Sequence, residues 1–281
     1  MLILKIYFSK NHSEILKRMT VLVIKNVNIQ ILISNIIFGI FSNLGKPLTK
    51  TTEQRRQHLL ENWYFHCNCK KCLDVESDTL KSSVLCPNCD EGCITLALGH
   101  CDKCNFTMKT SLINQHKELR TQICKAIGEQ KSIPDYERLY EKAKKVLHPY
   151  DGNFFELLDI LYKKYNDEIR AQPSSNLYLK RYKIGISMLE YYEKHLPKYS
   201  SIKVDYELTL SATCINLAIL EKRNNSMARR YLDKAKVHMT KAEDILKISR
   251  GENHYDFTNV LPILRQRLNQ VELIISFKSA I

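Results

Sequence analysis

Proline and glycine are scarce in this chain of 281 residues, at 7 and 8, and tryptophan occurs once. So few breakers leave little to interrupt a helix, and the composition leans that way throughout. Long apolar runs are also missing. The stretch "ILISNIIFGIF" (31–41) is about half of a membrane span, and Lys25, Asn26, Asn28, Gln30 and Asn35 interrupt its surroundings, which argues against a membrane protein. The opening "MLILKIYFSKNH" lacks the apolar core and small-residue cleavage site of a secretory signal, so the expected location is the cytoplasm or the nucleus. Acidic residues are outnumbered, 30 against 43 basic ones, for a formal charge of +13. That surplus suits nucleic acid or acidic protein partners. The basic residues are spread along the chain with no arginine-rich block, however, which argues against sequence-specific reading of DNA.

What is present points to two domains, because the length exceeds what one core usually organises. The first segment, 1–50, reads as β-rich: residues 1–44 are rich in Ile, Val, Phe and Asn, and "TVLVIKNVNIQILIS" alternates in part, a β pattern. Thr51 or Thr52 then caps a short helix, "EQRRQHLLENWYF", with Leu59, Leu60 and Trp63 expected on its buried side. That helix opens a segment, 51–110, whose residues 67–104 hold most of the cysteine and little apolar periodicity, which predicts a small metal-held module of loops and short hairpins. From 111 to 281 apolar residues recur at three-to-four spacing between the breaks "SIP", "HPYDGN", "QPSS" and "LPKYS". In "SMARRYLDKAKVHMTKAEDILKISRG", Ala228, Tyr231, Leu232, Ala235, Met239, Ala242, Ile245 and Leu246 form one stripe; Asn225 or Ser226 caps its start and Gly251 stops it. The fold class is therefore mainly α with a small β and zinc-bound N-terminal part, and a tetratricopeptide-like (TPR-like) antiparallel helical C-terminal domain. An ordinary helical bundle is the alternative.

Eight of the ten cysteines lie between positions 67 and 104. Clustered Cys-x-x-Cys pairs without a secretory signal mean metal more often than disulfide. Cys86, Cys89, Cys101 and Cys104 make two such pairs, enough to surround one tetrahedral zinc ion. Cys67, Cys69 and Cys72 supply three ligands of a second site, whose fourth is left among Cys93, His66, His100 and a partner chain. Cys124 and Cys214 sit on apolar helical faces and read as core residues, and His148 and His254 read as turn or cap residues.

Three segments in order carry a resemblance: "TEQRRQHLLENWYFHCNCKKC", "VLHPYDGNFFELLDILY" and "AEDILKISRGENHYDF". The first is similar to the junction of SET and post-SET regions in the SET-and-MYND family of protein-lysine methyltransferases, and the other two resemble helices of that family's C-terminal domain. The resemblance implies S-adenosylmethionine as cofactor, a histone or other lysine-containing protein as substrate, and a zinc site closed by a cysteine of the motif Asn-His-Ser-Cys-x-Pro-Asn. In "NHSEILK" (11–17), Asn11, His12 and Ser13 match that motif as a cofactor-binding remnant, while Glu14 stands at the cysteine. The family's pore tyrosine falls on Asn35 or Gly45, and its glycine-rich cofactor strand and MYND module have no counterpart. The expectation is a monomeric chain that holds the post-SET zinc module and helical domain, truncated or inactive at its N-terminal side. A non-catalytic module for an acidic or extended peptide is the alternative.

Overall fold

The computed structural model describes residues 50–89, 91–221 and 225–279, all within one unit that runs from Leu48 to the end of the chain. The β pattern of residues 1–44, the Asn11 and His12 remnant, and the Asn35 and Gly45 positions lie outside the described residues.

Helix α1 (Thr52–Trp63) begins at Thr51, whose hydroxyl accepts the Gln54 amide while the Gln54 side chain accepts the Thr51 amide, a reciprocal capping box. Leu59 is buried as expected, but Leu60 faces solvent: consecutive helical positions sit about 100° apart, so the buried stripe takes one and not the other. The Trp63 side chain lies outside the described residues. Tyr64 ends α1 in the left-handed region (φ 54°) and turns the chain into the first cysteines.

Two short helices, α2 (Lys70–Leu73) and α3 (Val75–Leu80), lead to a two-stranded antiparallel hairpin, β1 (Ser83–Leu85) and β2 (Cys93–Thr95). Val84 faces Ile94 in register, and both are fully buried. The free edge of β1 is used as well. The Leu85 amide donates to Val146 O (2.8 Å), and the His148 amide donates to Ser83 O (3.2 Å), so "VLH" runs beside β1 as a third extended segment.

Seven long helices follow, mainly where the periodicity predicts them: α4 (Thr110–Gly128), α5 (Ile133–Ala143), α6 (Gly152–Ala171), α7 (Ser175–His195), α8 (Ser201–Leu220), α9 (Asn225–Ser249) and α10 (Leu261–Ser279), the last entered through a π turn at Asp256–Val260. Each anticipated break supplies a start. Ser132 caps α5 with Pro134 in the first turn, Asp151 caps α6 through the Asn153 and Phe154 amides, and Ser174 caps α7. Helix α9 already contains Asn225 and Ser226, so it starts earlier than expected. Its end is as expected: Gly251 adopts φ 83° and its amide closes on Leu246 O (2.9 Å). All eight stripe residues of α9 are buried.

Two cores result. One joins the hairpin and its cysteines (Val84, Cys86, Ile94, Leu96, Cys101) to α4–α7 through residues such as Ile123, Tyr136, Phe155 and Met188. The other packs α8, α9 and α10 together around Cys214, Ile215, Leu232, Met239 and Leu264. No helix among the described residues is long and apolar enough to cross a membrane.

Candidate metal centres

The second cysteine set is built from two matching turns. In "CPNC" the Asn88 amide points at the Cys86 sulfur (3.4 Å), and in "CDKC" the Lys103 amide points at the Cys101 sulfur (3.4 Å). Donation from the residue two positions on is what a ligating thiolate needs to delocalise its charge. The hairpin register brings the turns face to face. Cys86 and Cys104 sulfurs lie 3.7 Å apart, as do those of Cys89 and Cys101, and all four fall within 4.8 Å of one another. Metal–sulfur bonds of about 2.3 Å in a tetrahedron put sulfurs roughly 3.8 Å apart, so the donor set fits a four-thiolate ion such as zinc without rearrangement. All ten cysteines are free thiols.

Neighbouring residues shape this pocket. Gly92 presses on the sulfurs: a Cβ there would stand 2.3 Å from Cys101 Sγ and 2.9 Å from Cys89 Sγ. Asp102 Oδ1 accepts the Cys93 amide (2.8 Å) and ties the second turn to β2. The Phe106 amide and the Asn88 carboxamide lower the Cys104 pKa to about 6, which favours the ligating form.

The first set is assembled by α1. Cys69 caps α2 and Cys72 lies inside it, so Cys69-Lys-Lys-Cys72 is one helical turn with a sulfur at each end. Cys67 folds back so that the three sulfurs lie within 4.8 Å. The arginine pair of α1 grips this loop by its carbonyls. Arg55, itself buried, donates to Lys71 O (3.2 Å) and to the Cys72 sulfur (3.7 Å). Arg56 donates to Cys67 O (3.0 Å), to Cys72 O (3.4 Å) and to Asn68 Oδ1 (3.2 Å). Burial pushes the Cys67 thiol up to about 11. Burial acts on Cys69 too, but the Cys72 amide and the adjoining thiols outweigh it and lower the pKa.

The structure thus gathers seven of the eight cysteines proposed as ligands. Among the described residues no fourth group joins the first trio. Cys93 sits in β2 and belongs to neither set, His100 pairs with Thr107 in an isolated bridge, and His66 is exposed beside Cys67. Cys214 is fully buried as expected, whereas Cys124 is exposed, its sulfur 3.7 Å from Asn153 Oδ1. His148 and His254 each accept a backbone amide two residues on, from Tyr150 (3.1 Å) and Asp256 (3.2 Å), as turn residues do.

Sequence reasoning missed Arg55, Arg56, Gly92 and Asp102. The only signal for them was position: an arginine pair one turn into the helix that delivers the cysteines, and a glycine and an aspartate beside ligands. No known protein-family model matches this chain.

Proposed function

We propose that both cysteine sets hold zinc, and that the chain is a relative of the SET-and-MYND protein-lysine methyltransferases comprising their post-SET module and helical domain. The observation that carries this reading is the first metal loop. A Cys-x-Cys-x-x-Cys turn is clasped by an arginine pair from the helix before it and leads into a predominantly helical region. Zinc suits the donor chemistry, since soft thiolates in a tetrahedral arrangement favour it over hard cations.

The role that follows is recognition. The helices are TPR-like, and their substrate is a histone or another lysine-containing protein in the cytoplasm or nucleus. In the intact enzyme type the zinc module would wall an S-adenosylmethionine site and the helices would floor the protein cleft. Methyl transfer depends on orienting cofactor and lysine across a pore. The residues offered for that task, Asn11 and His12, lack the rest of their motif, which favours a catalytically incomplete protein. The second reading is accordingly a zinc-stabilised interaction module for an acidic or extended peptide, favoured by the basic surplus and by Glu14 in place of a cysteine.

Calorimetric titration of S-adenosylmethionine into the zinc-loaded chain separates the two. Binding in the micromolar range, about 8 kcal/mol, supports the enzyme reading and directs lysine-methylation assays. Absence of heat rules out a cofactor site in this chain and leaves the interaction module.

A further inference from the structure

Lys71 lies inside the first metal loop, between Cys69 and Cys72, yet its side chain reaches out of it. Its ammonium donates to the backbone carbonyl of His195, 2.6 Å away and 124 residues on. His195 is the last residue of α7, so the acceptor is one of the carbonyls that a helix leaves unpaired at its C-terminal end. A cation there is favoured by the helix dipole. A second contact reinforces the joint, the Ser77 hydroxyl lying 3.3 Å from His195 Nδ1. On its inner side the His195 ring packs against Tyr191 and Tyr150, with centroids 4.4 and 5.3 Å away. One residue therefore ties the metal loop to the aromatic heart of the helical core.

The joint is electrostatically costly. Arg55 and Lys81 are almost fully buried beside Lys71, and both donate to the same carbonyl, Lys50 O. Among the described residues Arg55 alone of the three has a carboxylate within ion-pair distance, Asp78 at 3.8 Å. Asp74 and Asp78 act on the lysines only from longer range. Crowded cations of this kind separate unless something fixes the chain that carries them. Arg55 and Arg56 hold this loop by its carbonyls, and ligation adds the restraint on its sulfurs: an ion bound by Cys69 and Cys72 freezes the single turn between them and with it the direction of Lys71.

Resting on the reading that the trio binds a metal ion, we propose that the three-thiol centre is a metal-operated latch. Ligation seats Lys71 on the C-terminal carbonyl of α7, and loss of the ion releases it. Coupling of this kind is reciprocal, so seating Lys71 also tightens metal binding.

The full chain, loaded with cadmium, offers a direct test, because cadmium-113 resonance distinguishes a three-thiolate from a four-thiolate site. Amide exchange in the last turn of α7 is then measured in loaded wild type, in wild type titrated with a chelator until the three-thiolate resonance alone is lost and the four-thiolate one remains, and in loaded Lys71→Met and Lys71→Arg. Stripping the trio is expected to speed exchange there about tenfold, a coupling of ordinary size. Loaded Lys71→Met should match the stripped protein and hold its ion about tenfold more weakly, with Lys71→Arg recovering part of both effects. An ion bound at the trio with α7 equally protected before and after stripping overturns the latch alone. Absence of any three-thiolate resonance overturns the latch and the metal reading together. The stripping arm needs no variant, so a Lys71→Met protein that fails to fold does not spoil the test.

Discussion

Gly92 stands so close to the four-thiol set that a single added methyl group would collide with two of its sulfurs. A sulfur on a flexible side chain could swing away, but one bonded to a metal cannot do so without lengthening that bond. Gly92→Ala should therefore weaken binding at this centre by tenfold or more while the three-thiol centre keeps its ion; competition with a chromogenic chelator resolves the two. His195 makes a second prediction at this scale. Burial lowers its pKa to about 3, assisted by repulsion from Lys81, Lys71 and Lys194 and opposed by Asp74, and its Nε2 has no hydrogen-bond partner among the described residues. The native protein keeps the ring neutral, whereas the unfolded chain protonates it near pH 6.5. Above that pH the two states agree. As pH falls from about 6.5 toward 3 the unfolded state binds the extra proton, so stability drops through that window. The urea midpoint of His195→Gln should fall less steeply over this range than that of wild type; parallel curves would mean the native ring accepts the proton. The two cysteine sets that could hold a metal ion were legible in the sequence because their spacing alone groups them. Gly92 and His195 were not, because their roles depend on distances that only the folded chain creates.

At the level of elements, α7 crosses its neighbours at Gly185, where an added Cβ would lie 2.7 Å from Leu210 Cδ2 and 3.1 Å from Tyr162 Cε2. Gly185→Ala is expected to destabilise the fold by about 1–3 kcal/mol, the usual cost of overpacking. Gly128, in the last turn of α4, has nothing among the described residues within 4 Å of such a Cβ. There alanine should stabilise by about 0.4–1 kcal/mol through the unfolded state. Urea denaturation of the pair reads both signs, and a stabilised Gly185→Ala would show that the crossing has room. The helices themselves were readable. Their breaks carry real caps, Ser132, Asp151 and Ser174, and the α9 stripe was correct at every position. Exposure was harder to read, since Leu60 and Cys124 are apolar in type but lie on solvent-facing helical positions. The edge pairing of Leu85 with Val146 was invisible, because "VLHPY" reads as a helix ending and nothing local tells it to join a strand.

That pairing decides how the whole molecule should respond to metal loss. The hairpin and its cysteines share their core with α4–α7, and Arg120 adds a tie by donating to both Ser83 O (3.2 Å) and the buried Asp151 (2.6 Å), the cap of α6. A module too small to fold alone depends on its ion, since the free energy of binding is then free energy of folding. Here the dependence spreads to whatever packs on the module. Helices α8–α10 are held by a separate core that contains none of the proposed ligands. The Glu207–His238 pair (2.5 Å), with Tyr182 on the other ring nitrogen (3.3 Å), adds a satisfied polar link between α7, α8 and α9. Chelation should therefore loosen the hairpin and raise amide exchange in α4–α6 while leaving α8–α10 protected and much of the helical circular dichroism intact. Exchange measured element by element checks this gradient. Uniform loss would mean that the two cores unfold as one, and protection retained throughout α4–α6 would mean that shared packing holds the helices without the metal.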